Sequence, residues 1–458
     1  MGSTGSTGGT RAWLRLGALW EYLRASLWAL PALFVLTSLA TGSALVRWDP
    51  QLPPAVEPWI FGGTPDGARS LLSAVAGAMI TVTALTFSLT IIALQMASTQ
   101  FSPRVLRGFL TDRGNQIVLG LFLATFAYAI TVLRVIRGGE QGVEEVVPQL
   151  AVTVGVGLTL AAIGALVYFI HHLAKKLQAQ SILQEITGDA LELVDEVFGE
   201  SLKGDPIPLA TNAPEEIQAL PAERSGYLQA VDIHGLADQA REHGAVVRLR
   251  PQIGAYVAAG STLAWSWNAD GPGTAGRDGD LRAVVADHVQ FGAERTMQQD
   301  VSFALRQLVD IGVKALSSGL NDPTTAVDTL GHLSAVLCRI ATRRVGPLAI
   351  ADDADRVRAV MPRPDFAGYL HLCCDQIRRY GASEPAVLRG IISMLTDVAE
   401  VISTAEQRMA IREQLRRTTE VAERSLDARD ASAVRSAASL AEQTLRHGRR
   451  PDSAVFAE

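Results

Sequence analysis

The chain has 458 residues, enough for two or three domains, and 48% of them are hydrophobic, a high share for a water-soluble protein. A formal net charge of -6 gives no basic footprint for nucleic acid, so polycation-driven binders are excluded. Three cysteines, Cys338, Cys373 and Cys374, are too few for a disulfide scaffold.

In chain order, residues 1–26 place Trp13, Leu16, Trp20 and Leu23 at helical spacing among Arg11, Arg15 and Arg24, the pattern of an interfacial segment. Four stretches without Lys, Arg, Asp or Glu follow, at 27–46, 71–97, 117–133 and 146–170. Crossing about 30 Å of hydrocarbon takes about 20 apolar residues, so these predict four transmembrane helices, the third at the short limit. Arg47-Trp48-Asp49-Pro50 is not a small-residue cleavage site, so the first stretch reads as a retained span. Arg104, Arg107 and Arg113 lie between the second and third spans, and Lys175 and Lys176 follow the fourth. With an even number of spans, that bias predicts a multi-pass protein of the cell (plasma) membrane with both termini cytoplasmic. The cysteines then lie in a reducing compartment.

Beyond the spans, the apolar stripe Leu173, Leu177, Leu183, Ile186, Leu191 and Val194 predicts that helix continues through 171–198 as a stalk. Residues 199–225, with Pro206, Pro208, Pro214 and Pro221, read as a linker. A small β-containing module is predicted over 226–290, with Gly254 and Gly260 flanking a short strand. From about Ala283 the periodicity is helical, giving a cytosolic helical bundle over 291–447 and a tail at 448–458. The charged, Ala-rich stretch from Glu406 reads as a solvated or oligomer-facing helix pair. The fold class is therefore an α-helical membrane protein with four transmembrane helices and a cytosolic α+β domain.

The second span is unusually polar. Thr81, Ser88 and Gln95 recur every seven residues, and Thr83, Thr86 and Thr90 make a second strip. Two readings follow: close helix packing, or a wet pathway in an oligomer in which hydroxyl and amide groups replace part of an ion's hydration shell. Gln100, Arg104 and Arg107 follow, either as interfacial anchors or as the cytoplasmic mouth of such a pathway. Gly157, Ala161 and Ala165 in the fourth span predict a packing face. His171 and His172 read as interfacial anchors, with no ligand cluster nearby in sequence.

In the distal half, Arg295-Thr296-Met297-Gln298-Gln299-Asp300 opens a helix that stops at Ser317-Ser318-Gly319-Leu320-Asn321-Asp322-Pro323-Thr324-Thr325-Ala326. Gly319 is suited to a left-handed cap, Asp322 to capping the next helix, and Pro323 to its first turn. Ser318, Asn321, Asp322 and Thr325 gather short polar groups there, either as a plain corner or as a ligand or interdomain site. No nucleophile elbow, phosphate loop or metal spacing occurs, so no enzyme, metal or cofactor is expected.

Two of these motifs, Thr83-Ala84-Leu85-Thr86-Phe87-Ser88-Leu89-Thr90 with Ala93 to Arg104, and Arg295–Asp300 with Ala315 to Ala326, resemble the bacterial membrane proteins called domain of unknown function 2254. The likeness runs from about residue 20 to 430, departing from the family pattern at Ser318 and Thr324. It implies a four-span protein with a cytosolic domain and assigns no activity. The residues themselves suggest a homo-oligomeric ion channel or channel-like conductance for small ions, lined by the second span. The alternative is a membrane-anchored scaffold or sensor that binds a ligand or protein at the Ser318–Thr325 corner.

Overall fold

The computed structural model describes residues 28–47, 60–100, 112–137, 147–176, 178–199, 217–269 and 278–447. The chain divides into two compact units, 1–178 and 179–458.

The first unit holds α1 (Ala29–Arg47), α2 (Pro65–Gln100), α3 (Arg113–Leu133) and α4 (Gln149–Lys176), each long and apolar enough to cross a membrane. The third stretch, the shortest in sequence, is the centre of the bundle, and half of its apolar window is buried. Small residues let its neighbours approach. Gly120 sits against Phe34 of α1, and Gly155 of α4 against Leu72 and Tyr128. The Tyr128 hydroxyl donates to the Ala151 carbonyl at 2.8 Å, and Ser38 donates to the Ala124 carbonyl. Leu72, Phe122, Tyr128, Val152 and Phe169 form the core between them.

The predicted stalk is not one helix. α4 ends at Lys176 in the first unit, and α5 (Ala179–Phe198) belongs to the second. The two helices have different burial demands. α4 is apolar nearly all round, whereas α5 buries one stripe, Ile182, Leu183, Ile186, Ala190, Leu193 and Val194, against helices of the second unit.

The second unit is mixed. Its strands are β1 (Gln218–Pro221), β2 (Gly226–Val231), β3 (Ala245–Leu249), β4 (Tyr256–Val257), β5 (Thr262–Asn268), β6 (Val289–Gly292), β7 (Leu348–Ala351) and β8 (Val357–Met361). One sheet runs β1-β5-β3-β8-β7, with only β3 and β8 parallel, and a smaller antiparallel sheet runs β4-β2-β6. Helices α6 (Ile233–Glu242) and α7 (Asp278–Asp287) pack on them around Leu228, Leu236, Val247 and Leu249. The helical part comprises α5 with α8 (Val301–Ala315), α9 (Pro323–Ala341), α10 (Phe366–Tyr380), α11 (Pro385–Ala399), α12 (Ala405–Ser425) and α13 (Ala428–His447).

The expectation that everything beyond Ala283 is helical is corrected by β6, β7 and β8. All five residues of β8 are buried, and besides its neighbour β7 it pairs with β3, Val247 facing Ala359 from far upstream in the chain. A short apolar run carries no period that separates strand from helix, so only the pairing partner decides it. Arg358 in that strand is almost wholly buried. It is paid for by Asp352, whose carboxylate accepts from its Nε at 2.8 Å. The last two helices are also more than a solvated pair, since Ile411, Leu415, Val434 and Ala441 are buried. Thr404 and Gln407 start α12 with a reciprocal capping box.

Candidate functional site

The two polar strips of α2 fall on different faces, because at 100° per residue a seven-residue repeat keeps one bearing while 83, 86 and 90 turn away from it. Thr86 is buried inside the bundle, and Thr83 and Thr90 are half-buried beside it. These three cannot share a lumen with Thr81, Ser88 and Gln95, which corrects the six-residue lining expected from sequence. Thr81, Ser88 and Gln95 are exposed, in line with Ala74, Gly77, Ala84 and Ile91, all exposed as well. The spacing of that seam alternates three and four residues over its whole length.

Three of these hydroxyls are locally satisfied. Thr81 donates to the Gly77 carbonyl (2.9 Å), Thr83 to Met79 (2.7 Å) and Thr90 to Thr86 (2.9 Å). The buried Thr86 hydroxyl and one side-chain atom each of Asn115 and Gln116, at the start of α3, have no hydrogen-bond partner among the described residues. The side chain of Gln100, and Arg104 and Arg107 entirely, lie outside the described residues. On α4, Gly157 and Ala161 are exposed and Ala165 half-buried, with nothing near Gly157. The packing face within this unit is instead Gly155 and Ala162.

At the same end of α3 the structure forms a cluster that sequence reasoning missed. Asp112 caps α3 by accepting from the Gly114 amide (2.7 Å), and its other oxygen meets His172 Nε2 (2.7 Å) and Lys176 Nζ (3.7 Å). Tyr168 stacks on His172 with ring centroids 5.3 Å apart. His172 is therefore a carboxylate partner rather than a bare interfacial anchor. Sixty residues separate the pair, so nothing local signalled it.

The corner between α8 and α9 closes on itself. Asp322 accepts from the Thr325 amide (3.1 Å) and the Thr325 hydroxyl (2.6 Å), and these bonds hold its carboxyl below the usual range. Pro323 occupies the first helical turn, as the sequence indicates. The left-handed residue is Asn321 (φ 47°) rather than Gly319, because the Ser317 carbonyl accepts from both Leu320 and Asn321 and carries the turn two residues further. Asparagine tolerates that region better than other side-chain-bearing residues. Ser318 and Asn321 are exposed, and neither takes part in the Asp322–Thr325 bonds.

The Arg295–Asp300 motif is a built ion pair. Asp300, almost fully buried, accepts from Arg295 Nε (2.8 Å) and from the Phe303 amide (3.0 Å), thereby capping α8. Burial pushes its carboxyl up while Arg295 and the amides pull it down, leaving it above its ordinary value. Gly254 (φ 83°) lies directly over this pair: a Cβ there would overlap Asp300 Oδ2 and stand 2.8 Å from Arg295 Nη2. Cys373 and Cys374 are wholly buried in α10, and burial pushes both thiols up, Cys374 to about 12. No group of three His, Cys, Asp or Glu side chains is placed to hold a metal among the described residues.

Four bilayer-length apolar helices, three of them packed around the half-buried third, joined to a mixed α/β unit, define an integral membrane protein in contact with lipid. The chain belongs to the family described as predicted membrane protein, domain of unknown function 2254, which matches residues 24–397. It is also similar to an uncharacterized protein of Mycobacterium tuberculosis, 38% identical over 439 residues that cover 94% of this chain and 83% of the relative. An uncharacterized protein of Mycobacterium bovis matches with the same identity and coverage. No solved structure matches the chain.

Proposed function

We propose that the protein is a homo-oligomeric conductance for small ions in the cell membrane, both termini cytoplasmic, with the second transmembrane helix of each copy facing the common axis. The supporting observation is the seam Ala74, Gly77, Thr81, Ala84, Ser88, Ile91 and Gln95, which the protomer leaves open. A seam that recurs every 3.5 residues suits helices wound around one another, and small residues permit close backbone approach. Thr81 bonds its own helix and so does not need water to be buried, yet can turn its hydroxyl toward a passing ion. The exposed Gly157 and Ala161 of α4 offer a second close-approach surface between neighbours. The conductance is preferred to the scaffold or sensor because the Asp322–Thr325 corner spends its carboxylate on its own helix cap.

The test combines assembly and flux. In lipid nanodiscs the protein is expected to have the mass of several copies, and Ser88→Cys in a Cys338→Ser background is expected to cross-link between copies where Thr86→Cys does not. Proteoliposomes are expected to pass monovalent ions, and Gln95→Leu to reduce the flux. A monomeric mass, or tight vesicles across voltage, pH and tension, overturns the proposal.

A further inference from the structure

The second unit contains an open cleft of about 540 Å³ lined by three arginines, Arg295, Arg306 and Arg363, together with Gln252, Ser302 and Asp365. Like charges gathered around an open space cost free energy unless something answers them. The side chains differ in how far this is met. Arg295 is neutralised from behind by Asp300 and lies over the Phe303 ring at 5.2 Å. Among the described residues Arg363 reaches only a carbonyl, Val197 O at 3.3 Å, and the face of Phe198 at 5.6 Å, and burial pushes its guanidinium down from the ordinary value. Arg306 has no hydrogen bond or carboxylate among the described residues.

The remaining charges deepen the imbalance. Asp300 is committed to Arg295 and the α8 cap, and Asp365 to the Gly368 amide as the cap of α10 (2.7 Å). Both 15-residue helices begin at the cleft, so their first turns add partial positive charge to the three guanidiniums.

We propose that this cleft binds a phosphate-bearing small molecule, with Arg306 and Arg363 as its principal ligands and Arg295, locked by Asp300, as the third. Guanidinium forks match phosphoryl oxygens bidentately and hold their charge at any physiological pH. The volume falls within the range of about 300–1,000 Å³ typical of small-molecule sites and exceeds what a bare phosphate fills. Gln252 therefore stands where an amide can read the rest of the molecule. The Arg295–Asp300 motif, which the transmembrane proposal leaves unused, becomes the frame of this site, and the site stands or falls independently of any conductance.

The test uses the full chain in detergent, titrated with inorganic pyrophosphate and with ATP at ionic strength held constant by sodium chloride. Both are expected to bind in calorimetry and to raise the melting temperature, and Arg306→Gln to weaken binding at least about tenfold, as loss of one charge-assisted bond implies. The same variant without ligand is expected to melt no lower than the parent, because it removes a cation that has no partner among the described residues. Binding of dioctanoyl phosphatidic acid alone, abolished by Arg306→Gln, would keep the phosphate chemistry and place it on a lipid headgroup. No shift beyond chloride with any of the three probes, or undiminished binding by Arg306→Gln, overturns the proposal.

Discussion

Gly254 and Gly260 provide a matched pair of perturbations. Their φ angles are nearly equal, 83° and 81°, but a Cβ at Gly260 meets no described residue within 4 Å, whereas at Gly254 it overlaps the Asp300 carboxylate. Gly260→Ala should therefore cost only the left-handed backbone term, about 1–2 kcal/mol. Gly254→Ala incurs the same term and must also displace a buried carboxylate from its arginine. Losing one charge-assisted bond of that kind costs about 1.5–3 kcal/mol. At about 2–4 °C per kcal/mol for a domain of this order, the Gly254 variant should melt roughly 3–12 °C below the Gly260 variant. Thermal unfolding in detergent followed by circular dichroism measures the difference. Equal melting of the two variants would refute the inference that Gly254 is glycine because the ion pair occupies its side-chain space.

Three further outcomes are expected. Burial works against the charge of Asp352, but the amides of Arg356 and Ala354 and the guanidinium of Arg358 hold its carboxyl at about 2. Because the folded value is depressed, its contribution is complete above the ordinary carboxylate range and fades as pH falls through about 2; melting curves from pH 5 downward should show a shallower loss for Asp352→Asn than for the parent. Asp322→Ala removes the α9 cap and should cost about 1 kcal/mol by thermal unfolding, while Asp322→Asn, which keeps a capping oxygen, should stay near the parent. In the first unit, Asp112→Ala and His172→Ala should be less than additive by about 1 kcal/mol in a double-mutant cycle, because each removes the same 2.7 Å contact.

The local rules read most of the element list. Charge-free length announced α1 to α4, and Asp322 with Pro323 announced the start of α9, because caps and spans are decided within a few residues. The Arg295–Asp300 motif was legible as the opening of a helix; that it forms an ion pair facing a cleft was not, since Arg363 and Gln252 join it from distant positions. The strips of α2 could be counted from sequence, but which one faces the protein depended on where α3 lies.

Sequence alone determined which segments are long and apolar enough to cross a membrane, because length and absence of charge are read within a single stretch of chain. Only tertiary structure decided that β8 pairs with β3, that Asp112 meets His172, and that three arginines share one space. Each depends on residues far apart in the chain, and contacts of that kind leave no period for a local window to detect.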